Sequence, residues 1–475
     1  MLGPNPTQRV TRRSVLRSAV AGGAGIAVLS VLGACASAPT PTPAPAAQPT
    51  AAAQATAAPT QAPAAQAAPA GAAAITLRVH ARSGVEDQMF GSILTKFATA
   101  NPGVKAVVED YPGGDYLQKL QTLAAGGTIG DVLQAFTSDA SYQLFFVNGT
   151  LAAIDSYLQR DNVDKAQWFK YSIDACVVDG KQGGLPFKSH PSRVGLFYNA
   201  DLFNQAGMKP PDLDWTYAQL VDAAVKINKP PDVYAFSHPW HDASYYPIMS
   251  RIYGGDFFTK DGKSTQLDQP ESQQGWAWHY DMMNKYKVTV NPLQSSPAPQ
   301  DLFVSGKMAM LRANIGTKAA FLGISKFKWN MTLAPKGPKG NRGSLAETDV
   351  EAMTKASKNP DKAWELLKVL TGKDAGIQLA QQTGNRSSTP GGRPDVYNST
   401  EFLGLGYPEG VQQNTLKAMN EVEEWRGPAN FRGNEVKGVA DELSDLLLLD
   451  KAKPDKDYFA KLKTTIQDVL DKPRP

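Results

Sequence analysis

The chain is poor in cysteine and in unbalanced charge. Its 475 residues include two cysteines, Cys35 and Cys176, which excludes a disulfide framework and leaves Cys176 as an expected buried thiol. The net charge is +4, but the only charged side chains before residue 78 are four arginines. Without them, 45 basic residues (49 − 4) balance 45 acidic ones. A balanced body gives no reason to expect a polyanionic partner such as nucleic acid.

Motifs of common enzyme classes are also missing. The stretch Gly262-Lys263-Ser264-Thr265 resembles the end of a phosphate-binding loop, but Phe257 stands where that loop needs a glycine. The chain has no His-Glu-x-x-His, Gly-x-Ser-x-Gly or Cys-x-x-Cys. We therefore predict a protein that is not an enzyme and that needs no cofactor and no metal. A pair of acids for glycoside hydrolysis needs only proximity in the fold, so that class stays open.

Residues 1–34 contain no acidic residue and have the features of an export signal. The pair Arg12-Arg13 precedes an uncharged stretch, residues 18–34, that is short and rich in glycine for a bilayer span. This order resembles a twin-arginine (Tat) signal peptide. The stretch ends in Leu32-Gly33-Ala34-Cys35, which resembles the bacterial lipobox, whose cysteine is acylated after cleavage. We predict a signal peptide over residues 1–34 and a lipid on Cys35, with an uncleaved anchor helix as the alternative.

Residues 36–74 are almost entirely Ala, Pro, Thr and Gln, and they carry no charge. Such a segment buries too little apolar surface to fold, and its prolines interrupt an alanine helix. We predict that residues 35–74 form a lipidated, disordered tether. Lipid on Cys35 would hold the folded body at the outer face of the cytoplasmic membrane, in the cell envelope.

The body begins with an alternation of strand and helix patterns. Residues 75–81, 104–111 and 131–136 have strand patterns, and residues 86–100 and 116–125 have helical ones. This order predicts a parallel sheet with helices on both faces. Ligands of such sheets bind beyond the carboxyl ends of the strands. The loops at that edge contain Ser83, Glu86, Tyr111, Phe136, Ser138 and Asp139.

Seven segments of the body, in order, resemble extracellular solute-binding proteins of ABC importers, in particular the sugar-binding group related to maltose-binding protein. The segments are residues 97–104, 149–155, 184–203, 207–220, 254–263, 303–310 and 357–364. Each motif is weak alone, but seven in the family's order, within a resemblance that covers residues 75–475, are specific.

The resemblance implies a two-lobed α/β fold of the periplasmic-binding-protein type (type II). Each lobe is expected to be a mostly parallel sheet flanked by helices, with the ligand cleft between the lobes. Lobe one is expected to comprise residues 75–188 and 335–388, and lobe two residues 189–334 and 389–475. The implied function is capture of a small solute, a carbohydrate before others, by hinge closure, and its delivery to an ABC permease by a monomeric receptor. A surface-anchored glycoside hydrolase or lyase, or the same fold with non-sugar cargo, is the alternative.

Candidate ligand residues follow partly from chemistry and partly from the resemblance. A sugar site needs aromatic plates beside polar groups, and the loop 238–246 offers both, with Trp240, His241 and Tyr245 as candidates. The alternative is that these rings cover the core of their own lobe. The resemblance adds Ser192, Asn314, Glu347, Asp349 and Phe431.

The chain departs from the family pattern at one aromatic position. Relatives often have Trp where this chain has Gly316, so the size and identity of the sugar stay open. Trp425 is a candidate replacement. Two histidines and an acid in the aromatic loop, His238, His241 and Asp242, also allow a metal site, but without further fixed ligands this interpretation is weak.

Overall fold

The computed structural model describes residues 75–293, 297–382 and 389–475. The predicted signal peptide, the lipid-attachment residue Cys35 and the predicted tether lie outside these residues. Within the described ranges, no helix is both long and apolar enough to cross a membrane.

The strands of the described residues are, in chain order, β1 (Ile75–Arg82), β2 (Val104–Tyr111), β3 (Val132–Phe136), β4 (Val177–Val178), β5 (Lys181–Gln182), β6 (Leu185–Pro191), β7 (Gly195–Asn199), β8 (Tyr234–Ser237), β9 (Met308–Ala313), β10 (Trp329–Leu333) and β11 (Ala346–Met353).

The α-helices of the same residues are α1 (Asp87–Ala100), α2 (Tyr116–Ala125), α3 (Ser141–Val147), α4 (Asp155–Arg160), α5 (Lys170–Asp174), α6 (Ala200–Gln205), α7 (Tyr217–Ile227), α8 (Tyr245–Arg251), α9 (Pro270–Asn284), α10 (Pro299–Val304), α11 (Pro360–Leu370), α12 (Lys373–Ala380), α13 (Pro394–Tyr397), α14 (Thr400–Leu403), α15 (Val411–Asn420), α16 (Gly433–Leu448) and α17 (Lys456–Leu470). Two 3-10 helices, Lys165–Gln167 and Ile315–Phe321, complete the set.

Two sheets form the centres of two lobes. Lobe one contains the sheet β2-β1-β3-β11-β6, and lobe two contains the sheet β10-β7-β9-β8. The predicted parallel unit of three strands is confirmed, because β1 pairs in parallel with both β2 and β3. The periodicities that predicted these elements mark the core: Leu77 and Val79 alternate into the sheet interior, and Phe90 and Phe97 form the buried face of α1.

The sheets are mixed, where the sequence predicted mostly parallel ones. Strand β11 runs antiparallel to both β3 and β6, and β7 runs antiparallel to both β9 and β10. The chain enters β11 on its way back from lobe two, so this strand runs opposite to its neighbours. Its amino end therefore lies at the same edge as the carboxyl ends of β1, β3 and β6, and side chains from all four strands meet there.

Each lobe buries its own apolar core. Trp364 of α11 belongs to a lobe-one cluster and Trp276 of α9 to a lobe-two cluster, and both are fully buried. Cys176 is a free, buried thiol in lobe one, as predicted from its isolation in the sequence.

Three segments connect the lobes. The first crossing segment, residues 192–194, joins β6 to β7, and the second crossing segment, residues 334–345, joins β10 to β11. Helices α13 and α14 pack on α12 of lobe one, and α15 packs on both β10 of lobe two and β6 of lobe one. We call residues 404–410, between α14 and α15, the third crossing segment.

Candidate functional site

A polar cleft of about 490 Å³ lies between the lobes, at the edge where β1, β3 and β6 end and β11 begins. Its lobe-two wall comes from the loop after β8, from Asn314 after β9 and from the first turns of α16. Its lining comprises Arg82, Val85, Phe136, Ser138, Asp139, Lys188, His190, Arg193, His241, Asp242, Ala243, Ser244, Asn314, Glu347, Asp349, Thr389, Asn434 and Lys437.

One buried carboxylate, that of Glu86, lies beneath the floor of the cleft. Glu86 is fully buried and accepts hydrogen bonds from Arg82 and from the Lys188 ammonium. Burial opposes ionisation of Glu86, but the charges of Lys188 and Arg82 outweigh it and lower its pKa to about 2. One anion beneath the cavity thus holds in place two cations that line it.

Two further acids line the lobe-one side. Glu347 and Asp349 lie two residues apart on β11, and both belong to the lining of the cleft. Burial raises the pKa of Asp349 and raises that of Glu347 to about 8. Glu347 is therefore a neutral carboxylic acid at pH 7, which lets it donate a hydrogen bond as well as accept one.

A hydrogen bond crosses the cleft between the lobes. The Asn314 side-chain amide of lobe two lies 3.1 Å from Nδ1 of His190 in lobe one, and Glu347 Oε2 lies 3.5 Å from the same nitrogen. Burial, together with nearby Arg193, lowers the pKa of His190 to about 3. His190 is therefore neutral, and its Nδ1 can accept the proton of the Asn314 amide.

The lobe-two wall is held by ion pairs. Nε of Arg193 donates to Asp242 at 2.8 Å, and Lys437 of α16 pairs with Asp441 one turn further along. Nε2 of His241 lies 2.6 Å from an Asp445 carboxylate oxygen. The His241–Asp445 contact joins the loop after β8 to α16, so both reach the cavity in a set orientation.

Helix α16 also touches lobe one directly. A Cβ added at Gly433, its first residue, would lie 2.9 Å from the Asp139 carbonyl oxygen. Only glycine leaves room for this approach, which brings Asn434 and Lys437 over the mouth of the cleft.

The structure brings together part of the predicted site. Seven candidates line the cleft, namely Phe136, Ser138, Asp139, His241, Asn314, Glu347 and Asp349. Glu86 lies beneath the floor, in contact with lining residues. Ser83 is bonded to Asp110 on the lobe-one surface. The buried Ser192 donates its backbone N–H to the Leu345 carbonyl at 2.7 Å, which links the first and second crossing segments.

The aromatic candidates of the loop 238–246, Trp240 and Tyr245, lie outside the cleft lining. Trp240 packs on the lobe-two core, 4.7 Å from the His238 ring. Tyr245 is buried in that core, 2.9 Å from Nε2 of His279. Phe136, which does line the cleft, has the Arg82 guanidinium 5.0 Å from its ring centre. The cleft therefore offers hydrogen-bonding groups far more than aromatic plates.

A second, smaller cavity contains the remaining aromatic candidates. We call this 240 Å³ space the Trp425 cavity; Phe431 and Tyr171 line it together with Trp425. It lies between the α3 and α5 region of lobe one and the chain segment that precedes α16. Of the aromatic candidates, Trp425 and Phe431 thus line a different space from the polar cleft.

Sequence reasoning missed several residues of the cleft. Arg82, Lys188 and His190 lie at the ends of β1 and β6, so the rule that placed Phe136 and Asp139 there also applies to them. Arg193 directly follows Ser192, which was a candidate. Nothing in the local sequence marks Asn434 and Lys437, because they arrive only through the third crossing segment.

Within residues 75–293, 297–382 and 389–475 there is no group of three or more His, Cys, Asp or Glu residues that could hold a metal ion. Nδ1 of His238 lies 3.2 Å from the carbonyl oxygen of Pro239, and His241 is paired with Asp445. His238, His241 and Asp242, which the sequence offered as a set, do not form such a group.

Comparison with known proteins identifies the class. The family model "Bacterial extracellular solute-binding protein" matches residues 85–377, which is more than half of the chain. The chain belongs to this family. It is therefore a solute-binding protein of the kind that serves ABC transporters and acts outside the cytoplasm, as the ordered motifs predicted.

Individual relatives share moderate sequence identity with this chain. A binding protein of Brucella abortus is 28% identical over 326 residues, which cover 66% of this chain and 75% of that protein. A lactose-binding protein of Rhizobium radiobacter is 22% identical over 293 residues, or 60% of this chain and 65% of that protein. These relatives are binding proteins.

The fold is that of solved ABC substrate-binding proteins. The Listeria monocytogenes protein in complex with cycloalternan superimposes with a TM-score of 0.72, at 21% identity, over 83% of this chain and 98% of that one. The two-lobed α/β fold expected from the sequence is confirmed.

Proposed function

We propose that this protein captures a small, uncharged, polyhydroxylated solute, a carbohydrate, in the polar cleft and delivers it to an ABC permease. The observation that carries this proposal is that the cations of the cleft already have carboxylate partners. Each of its four Lys and Arg side chains is paired with a carboxylate: Arg82 and Lys188 with Glu86, Arg193 with Asp242, and Lys437 with Asp441.

A paired cation is a poor anchor for an anionic ligand, because the anion must compete with a carboxylate already in place. Sugar hydroxyl groups need both donors and acceptors. Asn314, the neutral acid Glu347 and the ionisable Asp349 offer both kinds of group from the two lobes. The sugar-binding relative described above supports the same class of cargo.

Closure of the lobes is the mechanism we propose for capture. A solute that contacts Asp349 in lobe one and Asn314 in lobe two binds the closed arrangement better than the open one, so it shifts the population toward closure. The closed, loaded receptor then presents both lobes to the permease. We place the lobe division at the three crossing segments, and we propose that the receptor acts as a monomer, without catalysis and without nucleic acid.

Anchoring by lipid completes the proposal. The lipobox-like segment before Cys35 and the twin arginines support Tat export followed by acylation. Two acyl chains would hold the receptor at the outer face of the cytoplasmic membrane. Labelling of the expressed protein with a palmitate analogue should be lost in Cys35→Ala and kept in Cys176→Ala.

A thermal-shift panel tests the cargo class. Lactose, maltose, trehalose and tagatose form the neutral set, and sn-glycerol 3-phosphate and glucose 6-phosphate form the anionic set. A cognate sugar at 100 times its dissociation constant adds about 2.7 kcal/mol of stability. We expect a neutral sugar to raise the melting temperature. Asp349→Asn should reduce this shift, and the exposed control Lys326→Ala should leave it unchanged. A shift with the phosphates alone would contradict the proposal.

The enzyme alternative has its own measurement. Incubation of the protein with the sugar that raises its melting temperature, followed by chromatography, should return that sugar intact. Release of a shorter product, abolished by Glu347→Gln or Asp349→Asn, would assign hydrolysis to the cleft instead.

A further inference from the structure

Arg193 in the first crossing segment faces the cleft and shapes the connection between the lobes. Its side chain lines the cavity and pairs with Asp242. Its backbone has a φ of 45°, a left-handed conformation that residues with a side chain rarely adopt. Such a conformation persists only where surrounding contacts impose it. The contact that imposes it is therefore of functional interest.

The side chain of Arg312, in lobe two, contacts the backbone of Arg193. Arg312 is the fifth residue of β9, it is 1% exposed, and its Nε donates to the Arg193 carbonyl oxygen at 2.7 Å. The guanidinium also donates to the Tyr217 hydroxyl at 2.7 Å, and it lies 5.3 Å from the centre of the Tyr245 ring. Carbonyl and phenol oxygens thus surround a charge that is fully withdrawn from water.

The same guanidinium reaches the second crossing segment. Its Nη2 donates to the Arg342 carbonyl oxygen at 3.2 Å. Arg342 in turn donates to the Ala334 carbonyl at 2.6 Å, at the other end of that segment. One side chain of lobe two therefore holds backbone carbonyls of both crossing segments at a single point.

We propose that Arg312 is a positioning residue of the hinge, which fixes the first and second crossing segments to one pivot and holds Arg193 in its left-handed conformation. This inference rests on the proposed capture by lobe closure. A solute that displaces or tightens the Arg193–Asp242 pair acts on a residue whose own backbone belongs to the hinge. Occupancy of the cleft is thereby coupled to the crossing segments through Arg193 itself.

Hydrogen exchange of the ligand-free, full-length protein tests the pivot. In Arg312→Met, a buried carbonyl in each segment loses its donor, so amides in residues 189–196 and 338–346 should exchange about tenfold faster. The core variant Met282→Ala, in α9 of the same lobe, destabilises lobe two without touching the crossing segments. A rise in exchange rate spread over the whole of lobe two, like that expected for Met282→Ala, would overturn the proposal, and so would unchanged exchange rates.

A conservative variant keeps the test valid if Arg312→Met does not fold. Arg312→Lys retains the buried charge, but an ammonium cannot reach both carbonyls as the forked guanidinium does. The same selective gain in exchange, smaller in size, is expected. Equal protection of both segments in Arg312→Lys and in the wild type would show that the fork is not what holds them.

A second variant tests whether Arg193 couples the cleft to the first crossing segment. Asp242→Asn weakens the ion pair of Arg193 and should speed exchange in residues 189–196, while residues 338–346 and the exposed control Asp301→Asn stay unchanged. Unchanged exchange in residues 189–196 would overturn the coupling. Because these measurements use no ligand, failure of the sugar panel would count against the proposed function and leave the pivot to be judged separately.

Discussion

Asn314 of lobe two and His190 of lobe one are joined by a 3.1 Å hydrogen bond across the cleft. Asn314 is the first residue after β9, and His190 precedes the last residue of β6. The two strands belong to different sheets, so this bond exists only while the lobes are close together. A solute bound beside this hydrogen bond would contact both lobes.

Asn314→Asp should separate binding from stability. The side chain of Asn314 also accepts the Gly316 N–H at 2.8 Å and so caps the 3-10 helix, a role that Asp performs equally well. The variant loses the amide donor and places a charge near Glu347. We expect about tenfold weaker sugar binding by calorimetry with a nearly unchanged melting temperature. Asn330→Asp, on β10, is the matched control and should bind as the wild type does.

Glu347 should make stability and binding depend on pH. Its pKa is raised from 4.5 to about 8 in the folded protein, so the folded state binds the proton more tightly than the unfolded state. Stability should therefore fall as pH rises from about 4.5 to 8, and sugar affinity should fall above pH 8 as the acid ionises. Glu347→Gln should flatten both profiles, whereas Glu365→Gln, at a half-buried position of α11 outside the cleft, should leave them unchanged. An identical pH profile in wild type and Glu347→Gln would refute this role.

Glu86 should show the opposite dependence. The pKa of Glu86 is lowered to about 2, so its contribution is complete above pH 4.5 and is lost as pH falls toward 2. Glu86→Gln removes the carboxylate that Lys188 and Arg82 share, leaving Arg82 only Asp349 at 3.7 Å, and should cost about 3–5 kcal/mol in urea unfolding. The freed cations should also give the variant a new affinity for glucose 6-phosphate. The exposed Glu442→Gln serves as control and should gain none.

Lys318 is a buried cation whose removal should stabilise the protein. It is fully buried, its Nζ has no hydrogen-bond partner among the described residues, and the rings of Phe402 and Tyr407 lie 5.6 Å and 5.3 Å away. Burial lowers its pKa from 10.5 to about 7, so wild-type stability should rise between pH 7 and 10.5. Lys318→Met should raise the melting temperature at pH 7 and abolish that rise. Lys326→Met, at an exposed position, should do neither.

The Trp425 cavity allows a test of where the solute binds. If the polar cleft is the site, Trp425→Ala should leave sugar affinity unchanged within the error of calorimetry, while Asp349→Asn reduces it. The opposite pattern would move the site to the Trp425 cavity and would restore the aromatic plates to the role that the sequence suggested for them.

The fold could be predicted from the sequence because its signals are short-range patterns or motifs that occur in a fixed order along the chain. The alternation of Leu77 and Val79 and the helical stripe of Phe90 and Phe97 are short-range patterns, and the family motifs keep their order along the chain. The rule that ligands bind beyond parallel strands then placed Phe136, Ser138 and Asp139 at the cleft.

The missed part of the site depends on long-range geometry. Lys188 and His190 occur in a strand whose residues are all buried, and nothing local tells a buried lysine from an exposed one until its partner Glu86, 102 residues earlier, is known. Trp240 and Tyr245 have the composition of a sugar site, yet their rings fill the lobe-two core. Composition indicates the chemistry of a side chain and leaves its direction undetermined.

A crystal structure of the protein with the sugar that raises its melting temperature tests the central claim most directly. We predict an uncharged sugar in the polar cleft, with hydroxyl groups bonded to Asp349 in lobe one and to Asn314 in lobe two, and with the four ion pairs of the cleft intact. A ligand in the Trp425 cavity, or an anion that has displaced Glu86 or Asp242 from its cation, would contradict it.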